Sequence, residues 1–234
     1  VDIGRLQLNE MVAGPTGQNP HFGDCRNPWD PARISGGSSS GSGAAVAAGA
    51  VAGSLGSDTG GSIRLPAAMN GLFGLKPTYG RISRAGCFPR AFTLDCIGPL
   101  TRTAEDNALI LAAVAGPDPR DLTALDVTVP DYAARLVTAG EGSRLAVIGG
   151  AGELHADVSA AFTAFLTVAG EAFGGVAERP FPGLDICYAM GDVISKVEAA
   201  TIHGRWMEQR GERYSQAVFA RTEPGLHLPA TRYA

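Results

Sequence analysis

Apolar positions follow two different rhythms along this chain. Over residues 1–35 turn formers break every apolar run, at Gly14-Pro15-Thr16-Gly17, Asn19-Pro20, Asn27-Pro28 and Asp30-Pro31. That pattern predicts irregular structure laid over a surface. Ala44–Ala52 is apolar and small-sided, which predicts a buried helix packed closely on its neighbours, with the preceding Gly-Ser run as its N-terminus and Gly53 near its end. Short strands are expected at Gly71–Leu75 and Cys96–Leu100. Thr103-Ala-Glu-Asp106 reads as a capping box with Asp in the Glu position, opening a helix to about Ala115. Residues 116–143, punctuated by Pro, Asp and Gly, form a boundary.

The rhythm then changes. Arg144–Ile148 reads as a buried strand, Ala156–Phe173 as an amphipathic helix, Val176–Phe181 as a second strand and Leu184–His203 as a second long helix. Strand, helix, strand, helix predicts an α/β fold with parallel pairing. Strands near 72–75, 97–100, 145–148 and 176–180 are expected to join one mixed sheet. No internal repeat is visible.

Composition narrows the function classes. At 45% apolar and 18% charged residues, the 234-residue chain can build a sizeable core, and a wholly disordered protein is excluded. The net charge of −4, without a basic stripe, argues against nucleic-acid binding driven by phosphate neutralisation. Cys25, Cys87, Cys96 and Cys187 form no CxxC pair and no metal spacing, so they read as reduced thiols in a cytoplasmic protein. The first residues, VDIGRLQLNE, lack the basic-then-apolar order of a signal peptide. The run Ala44–Leu55 is too short and too Gly-rich to span a bilayer. A soluble protein with no membrane partner is expected.

Of 32 glycines many fall between Gly36 and Gly86, where the chain reads GGSSSGSGAAVAAGAVAGSLGSDTGGSIRLPAA from 36 to 68. Three readings compete. A flexible linker shares the composition, but would not lead into an Ala/Val helix and a second glycine cluster. A phosphate cradle at a helix N-terminus would need the lysine of GxxxxGK[ST], which is absent. The third reading is nucleophilic catalysis. Gly37-Ser38-Ser39-Ser40-Gly41 formally matches the GxSxG elbow with Ser39 as nucleophile. The elbow demands a strand upstream, and Asn27-Pro-Trp-Asp-Pro31 cannot be a central strand. His21, His155, His203 and His227 occupy surroundings that mark none of them as the base of a triad.

Asp58-Thr59-Gly60-Gly61-Ser62-Ile63-Arg64 is more informative. Two glycines before a serine let the backbone turn sharply and aim successive N–H groups at one point, as an oxyanion hole requires. Asp58 can hold such a loop through backbone N–H groups, and Arg64 can anchor it or meet an anionic substrate. A tight turn with capping side chains is the competing reading.

GGSSSGSGAAVAAG, then GSDTGGSIRLPAA, then GLFGLKPTYGRIS, and finally the stretch from Leu94 to Thr103, together resemble the amidase signature family. Both stand-alone bacterial-type amidases and the A subunit of tRNA-dependent amidotransferases show this pattern. The resemblance covers residues 1–116 strongly and the rest loosely. It implies a mixed sheet sandwiched by helices, here as part of one domain: a signature core over 1–116, an irregular connection over 117–143, and an α/β continuation over 144–234. It also implies that N- and C-terminal parts of the family domain lie outside this chain.

Carried over by position, the resemblance implies Ser62 as nucleophile and Ser38 as bridging serine, with a cis peptide before Ser38 and the two hydroxyls within hydrogen-bond reach. The N–H groups of Thr59, Gly60, Gly61 and Ser62 would form the oxyanion hole, with Asp58, Arg64 and Ser39 as loop support or substrate contacts. The implied activity is hydrolysis of a carboxamide to a carboxylate plus ammonia or an amine, without metal or cofactor. The partner would be a small-molecule amide, and the resemblance allows a homodimer.

The family's neutral lysine base lies some distance upstream of Ser38, before Val1. Lys76 belongs to a different segment, Gly74-Leu75-Lys76-Pro77, and Lys196 to the polar Ser195–Glu198 stretch. Neither is expected to touch Ser38 as base; Lys76 is expected to pair with a carboxylate or reach water. Leu65 stands where the amidotransferase subunit commonly carries Gln, which tilts the resemblance towards a stand-alone amidase. From a different class, a non-catalytic module could use the Gly/Ser loop to bind an anion. Phe88, Phe92 and Met11 are candidates for the pocket wall.

Overall fold

The computed structural model describes residues 3–136, 142–148 and 152–233. It divides into two compact units, one built from Val1–Ala133 with Gly191–Ala234 and one from Ala134–Met190.

In the larger unit, α1 (Ser40–Ala47) begins four residues before the expected helix. Its buried residues are Ser40, Gly41, Ser42, Gly43 and Val46, so the Gly-Ser run is the helix and not its leader. The reason is close approach. A β-carbon on Gly37 would come within 2.0 Å of Asn9 Oδ1, and Gly41 N–H donates to Gln7 O at 2.8 Å. The irregular N-terminal segment is thus laid directly over the run, and only residues without side chains admit it. Arg102 closes the other end of α1, donating through Nη1 to Val46 O and Val51 O at 3.1 Å each.

Strand β1 (Gly53–Asp58) was not visible in the sequence, since GSLGSD carries no β-branched residue and one large apolar one. Its partner makes it a strand. After α2 (Arg64–Asn70) and the two-residue β2 (Phe73–Gly74) comes β3 (Cys96–Thr101), buried along its whole length. The sheet order is β1-β3-β2, with both pairs antiparallel and β1 in register from Gly53↔Thr101 to Asp58↔Cys96. One face of this region packs Ile63, Ala67 and Leu100 with Leu72. A second cluster joins Ile82, Ile97 and Leu111 with Val114, Ala115 and Tyr132. Leu111 belongs to α3 (Ala104–Val114), whose start follows the expected cap: Thr103 Oγ1 accepts from Asp106 N–H at 3.0 Å. The short α4 (Tyr132–Leu136) follows the Pro/Asp-rich connection, of which 137–141 lie outside the described residues.

The smaller unit contains β4 (Leu145–Ile148), α5 (Ala156–Phe173) and β5 (Val176–Arg179), with the strands parallel. This is the expected strand–helix–strand crossover. β4 is half-buried, alternating along its length, whereas full burial was expected. The expectation of a single sheet is corrected. The described strands form two separate hydrogen-bonded sheets, three-stranded antiparallel and two-stranded parallel. α5 is also long and apolar enough by length and composition to cross a membrane, which reading the run Ala44–Leu55 alone did not reveal. α5 touches β4 and β5 and stacks Phe162 on Phe165 at 6.4 Å, but within the helix Ala169 alone is buried, and Val158, Phe165 and Val168 are exposed.

Helix α6 (Leu184–Arg210) continues past His203, and α7 (Gln216–Thr222) and α8 (Ala230–Tyr233) close the chain. Within the larger unit, α6 carries Glu198, fully buried. Its carboxylate accepts from Thr93 N–H at 3.0 Å, Thr93 Oγ1 at 2.6 Å and Tyr233 Oη at 2.8 Å. Three donors satisfy this buried carboxylate, which ends the polar Ser195–Glu198 stretch. Glu198→Gln keeps the shape but turns one acceptor oxygen into an NH2 donor facing donors. It is expected to cost about 1–3 kcal/mol, read as a lower urea midpoint; an unchanged midpoint would show that this network contributes nothing.

Candidate active site

The loop between β1 and α2 is organised around Asp58. This carboxylate is fully buried and accepts from Gly61 N–H at 2.7 Å and Ile63 N–H at 3.1 Å. Arg64 clamps it with Nε on Oδ2 and Nη2 on Oδ1, each at 3.0 Å. Gly61 turns the chain with φ at +128°, a conformation that favours glycine, and so delivers its N–H to Asp58. Burial pushes the Asp58 carboxyl up, but the Arg64 guanidinium and the N–H groups of Gly61 and Ile63 outweigh it and hold it below its ordinary value. Of the two roles considered for Arg64, its geometry is that of an anchor.

This carries a pH dependence of defined sign. A carboxyl depressed by folding stabilises the protein fully above its unfolded pKa of about 3.9 and loses that contribution as pH falls through the lower folded value. The gap in urea midpoint between wild type and Asp58→Asn is therefore expected to be constant from pH 7 to about 4 and to shrink below it. A gap that persists unchanged to pH 2 would rule out the ion pair as its source.

Two of the expected serines are brought against this loop. The peptide Gly37–Ser38 is cis. Ser39 N–H donates to Ser62 O at 3.1 Å, and Asn9 N–H donates to Ser38 O at 3.0 Å. Ser38 is fully buried, and its hydroxyl has no hydrogen-bond partner among the described residues. The expected bond from Ser38 to the Ser62 hydroxyl is therefore not made, although the two backbones are joined through Ser39. Ser62 itself is half-buried, between the end of β1 and the start of α2.

Ser39 has a different task. Its hydroxyl accepts from Ser57 N–H at 3.1 Å and donates to Ser57 O at 3.2 Å, and the residue is fully buried. It fastens α1 to β1, and no strand precedes it, so the elbow reading fails. Of the four N–H groups expected for the oxyanion hole, that of Gly61 donates to Asp58, while among the described residues those of Gly60 and Ser62 make no hydrogen bond. Thr59 lends its side chain to Asp95, donating from Oγ1 to Oδ1.

Sequence reasoning missed Asp95. It also accepts from the backbone N–H of Arg90 at 2.8 Å and of Ala91 at 3.0 Å, so one carboxylate ties the loop between β1 and α2 to the 84–95 loop. Beside it opens a cavity of about 910 Å³, lined among others by Ser57, Thr59, Met11, Phe88, Phe92 and Asp95. All three residues proposed for the pocket wall are there. The volume suits a small organic molecule.

Neither lysine approaches Ser38 by hydrogen bond. Lys76 Nζ donates to Pro77 O at 3.0 Å and to Cys96 Sγ at 3.7 Å, and of the two expected partners, a carboxylate or water, no carboxylate is bonded to it among the described residues. Lys196 pairs with Asp192 one turn away. Among the described residues no cluster of three His, Cys, Asp or Glu side chains could hold a metal.

The sequence profile of the Amidase family matches residues 1–225. The A subunit of a glutamyl-tRNA(Gln) amidotransferase from Geobacillus kaustophilus is 54% identical over 147 residues, which are 63% of this chain and 30% of that protein. A solved structure described as a vestigial protein complex, bearing on the origins of an s-triazine catabolic enzyme, superposes with a TM-score of 0.91 at 37% identity, over 97% of this chain and 49% of that one. The corresponding amidotransferase subunit from Thermotoga maritima gives 0.83 at 33% identity, over 97% and 52%. The chain thus spans about half the length of these solved relatives. Their likeness establishes the α/β fold of helices and mixed sheets.

Proposed function

The chain belongs to the amidase family, and from that membership we propose that it carries the acyl-transfer centre of an enzyme hydrolysing linear amide C–N bonds. Ser62 Oγ attacks the carboxamide carbonyl, and Ser38 accepts its proton. The oxyanion is held by the N–H groups of Gly60 and Ser62, with Thr59 adjacent, while Asp58 keeps the loop in shape. The C–N bond breaks as the proton taken from Ser62 is returned through Ser38 to the nitrogen, which leaves as ammonia or an amine, and water hydrolyses the Ser62 ester to the carboxylate. The proton passed to Ser38 goes on to a neutral lysine, which we assign to sequence outside residues 1–234, since Lys76 and Lys196 are engaged elsewhere. We treat residues 1–234 as part of one amidase domain, acting in the cytoplasm on a small-molecule amide without a cofactor.

One observation carries this reading. A buried, unpartnered Ser38 hydroxyl lies one residue from Ser39, whose N–H is bonded to Ser62 O. A fluorophosphonate, followed by peptide mapping, tests it. Phosphonylation at Ser62 is expected; modification at Ser39 instead, or at neither, would refute it.

A second reading is favoured by the 54% identity to an amidotransferase A subunit. In that case the amide is glutamine and the released ammonia serves a partner subunit. Turnover of glutamine in preference to simple carboxamides, together with co-purification of other subunits, would select it.

A further inference from the structure

The cavity beside the nucleophile loop has charged groups of both signs in its wall, Arg5, Arg84, Arg90 and Arg120 together with Glu10, Asp95 and Asp121. Arg84 and Arg120, both in its wall, are matched: Arg84 lies 3.8 Å from Asp121, and Arg120 lies 2.8 Å from Asp118. Arg90, also in the wall, differs. It is only 8% exposed, it forms no ion pair among the described residues, and its Nη1 is buried without a hydrogen-bond partner. The neighbouring carboxylate, Asp95, is already engaged by Thr59 Oγ1 and by the N–H groups of Arg90 and Ala91. Burial lowers the pKa of Arg90, Arg221 acts in the same direction, and Asp95 opposes them. His203, pushed below its ordinary value by burial and then by Arg90, supplies no negative charge. A guanidinium has five donors and stays protonated, so an unmatched buried one is the natural seat of a bidentate anion.

We propose that Arg90 recognises a carboxylate on the substrate, so that the preferred amides are monoamides of short dicarboxylic acids or similar carboxylate-bearing amides. The position fits the chemistry. Arg90 N–H and Thr59 Oγ1 bind the same Asp95 carboxylate, which puts the recognition residue one side chain away from the oxyanion loop. Phe88 and Phe92 flank Arg90 in the same wall and suit the short apolar spacer between amide and carboxylate. This inference rests on the proposed amide-hydrolase reading for its substrate, but the anion site stands on geometry alone.

The test uses the full-length protein and two probes, succinamate and the neutral butyramide, with binding read by calorimetry. Succinamate is expected to bind about 10–100-fold more tightly than butyramide, the worth of a charge-assisted pair. Arg90→Gln should erase that difference, and Arg90→Lys should restore part of it. Equal binding of the two probes to wild type overturns the proposal, whether or not any variant folds. So does a preference for succinamate that survives in a folded Arg90→Gln. Fluorophosphonate labelling of Ser62 in the same preparations separates the two readings. Labelling without carboxylate preference removes only the Arg90 site. Arg90-dependent succinamate binding without labelling removes only the hydrolase.

Discussion

Replacing Ser62 by alanine in the full-length protein is expected to lower amide turnover by about 10³-fold or more and to abolish fluorophosphonate labelling. The side chain is half-buried and makes no hydrogen bond among the described residues, so the urea midpoint should move little. Ser38→Ala should behave differently. It removes a relay, not the attacking atom, and general-base assistance is worth about 10²–10⁴-fold. Labelling of Ser62 should therefore slow without disappearing. The buried Ser38 hydroxyl has no partner among the described residues, so its loss removes none of their hydrogen bonds and the fold should tolerate it. Turnover retained in Ser62→Ala would end the proposed mechanism. Equal losses of labelling in both variants would show that Ser38 does more than relay.

The second large effect is structural. Asp58→Ala removes a fully buried carboxylate that organises Gly61, Ile63 and Arg64. Breaking a buried ion pair from one side costs about 3–5 kcal/mol. Arg64 is half-exposed and can re-enter water, so the lower end applies. At roughly 2–4 °C per kcal/mol for a chain of this size, the melting temperature should drop by about 6–12 °C. Ser62 should also become unreactive well below the new melting temperature, because Gly61 is released from the turn. Normal labelling in a destabilised Asp58→Ala would mean that the loop holds its shape without its carboxylate.

Much of this was legible because it is local. The start of α3 is fixed by Thr103 and Asp106, three residues apart, and α5 runs over the expected Ala156–Phe173. The glycine spacing around Ser62 likewise announces a tight loop. What escaped the sequence depends on partners far along the chain. β1 is a strand because β3, from 38 (Asp58↔Cys96) to 48 (Gly53↔Thr101) residues later, pairs with it, although its own composition argues against one. Glu198 sits in a polar stretch of α6 that looks solvated, yet its donors on Thr93 are 105 positions away. The sequence already argued against the elbow at Ser39, but what its hydroxyl does instead is decided by Ser57 on β1. Arg90 is invisible in sequence because a missing partner leaves no pattern.

The bonds that fasten the Gly-Ser run also create a spectroscopic handle. Ser39 N–H is held by Ser62 O, and Gly41 N–H by Gln7 O, each from a segment distant in sequence. Neither proton can exchange with deuterium until its segment lifts away, so the two amides report separate openings. Loss of protection at Ser39 alone would mark parting of the two serine loops. Loss at Gly41 alone would mark peeling of the N-terminal segment. Comparing their exchange rates with and without a bound amide would show which of these motions admits the substrate.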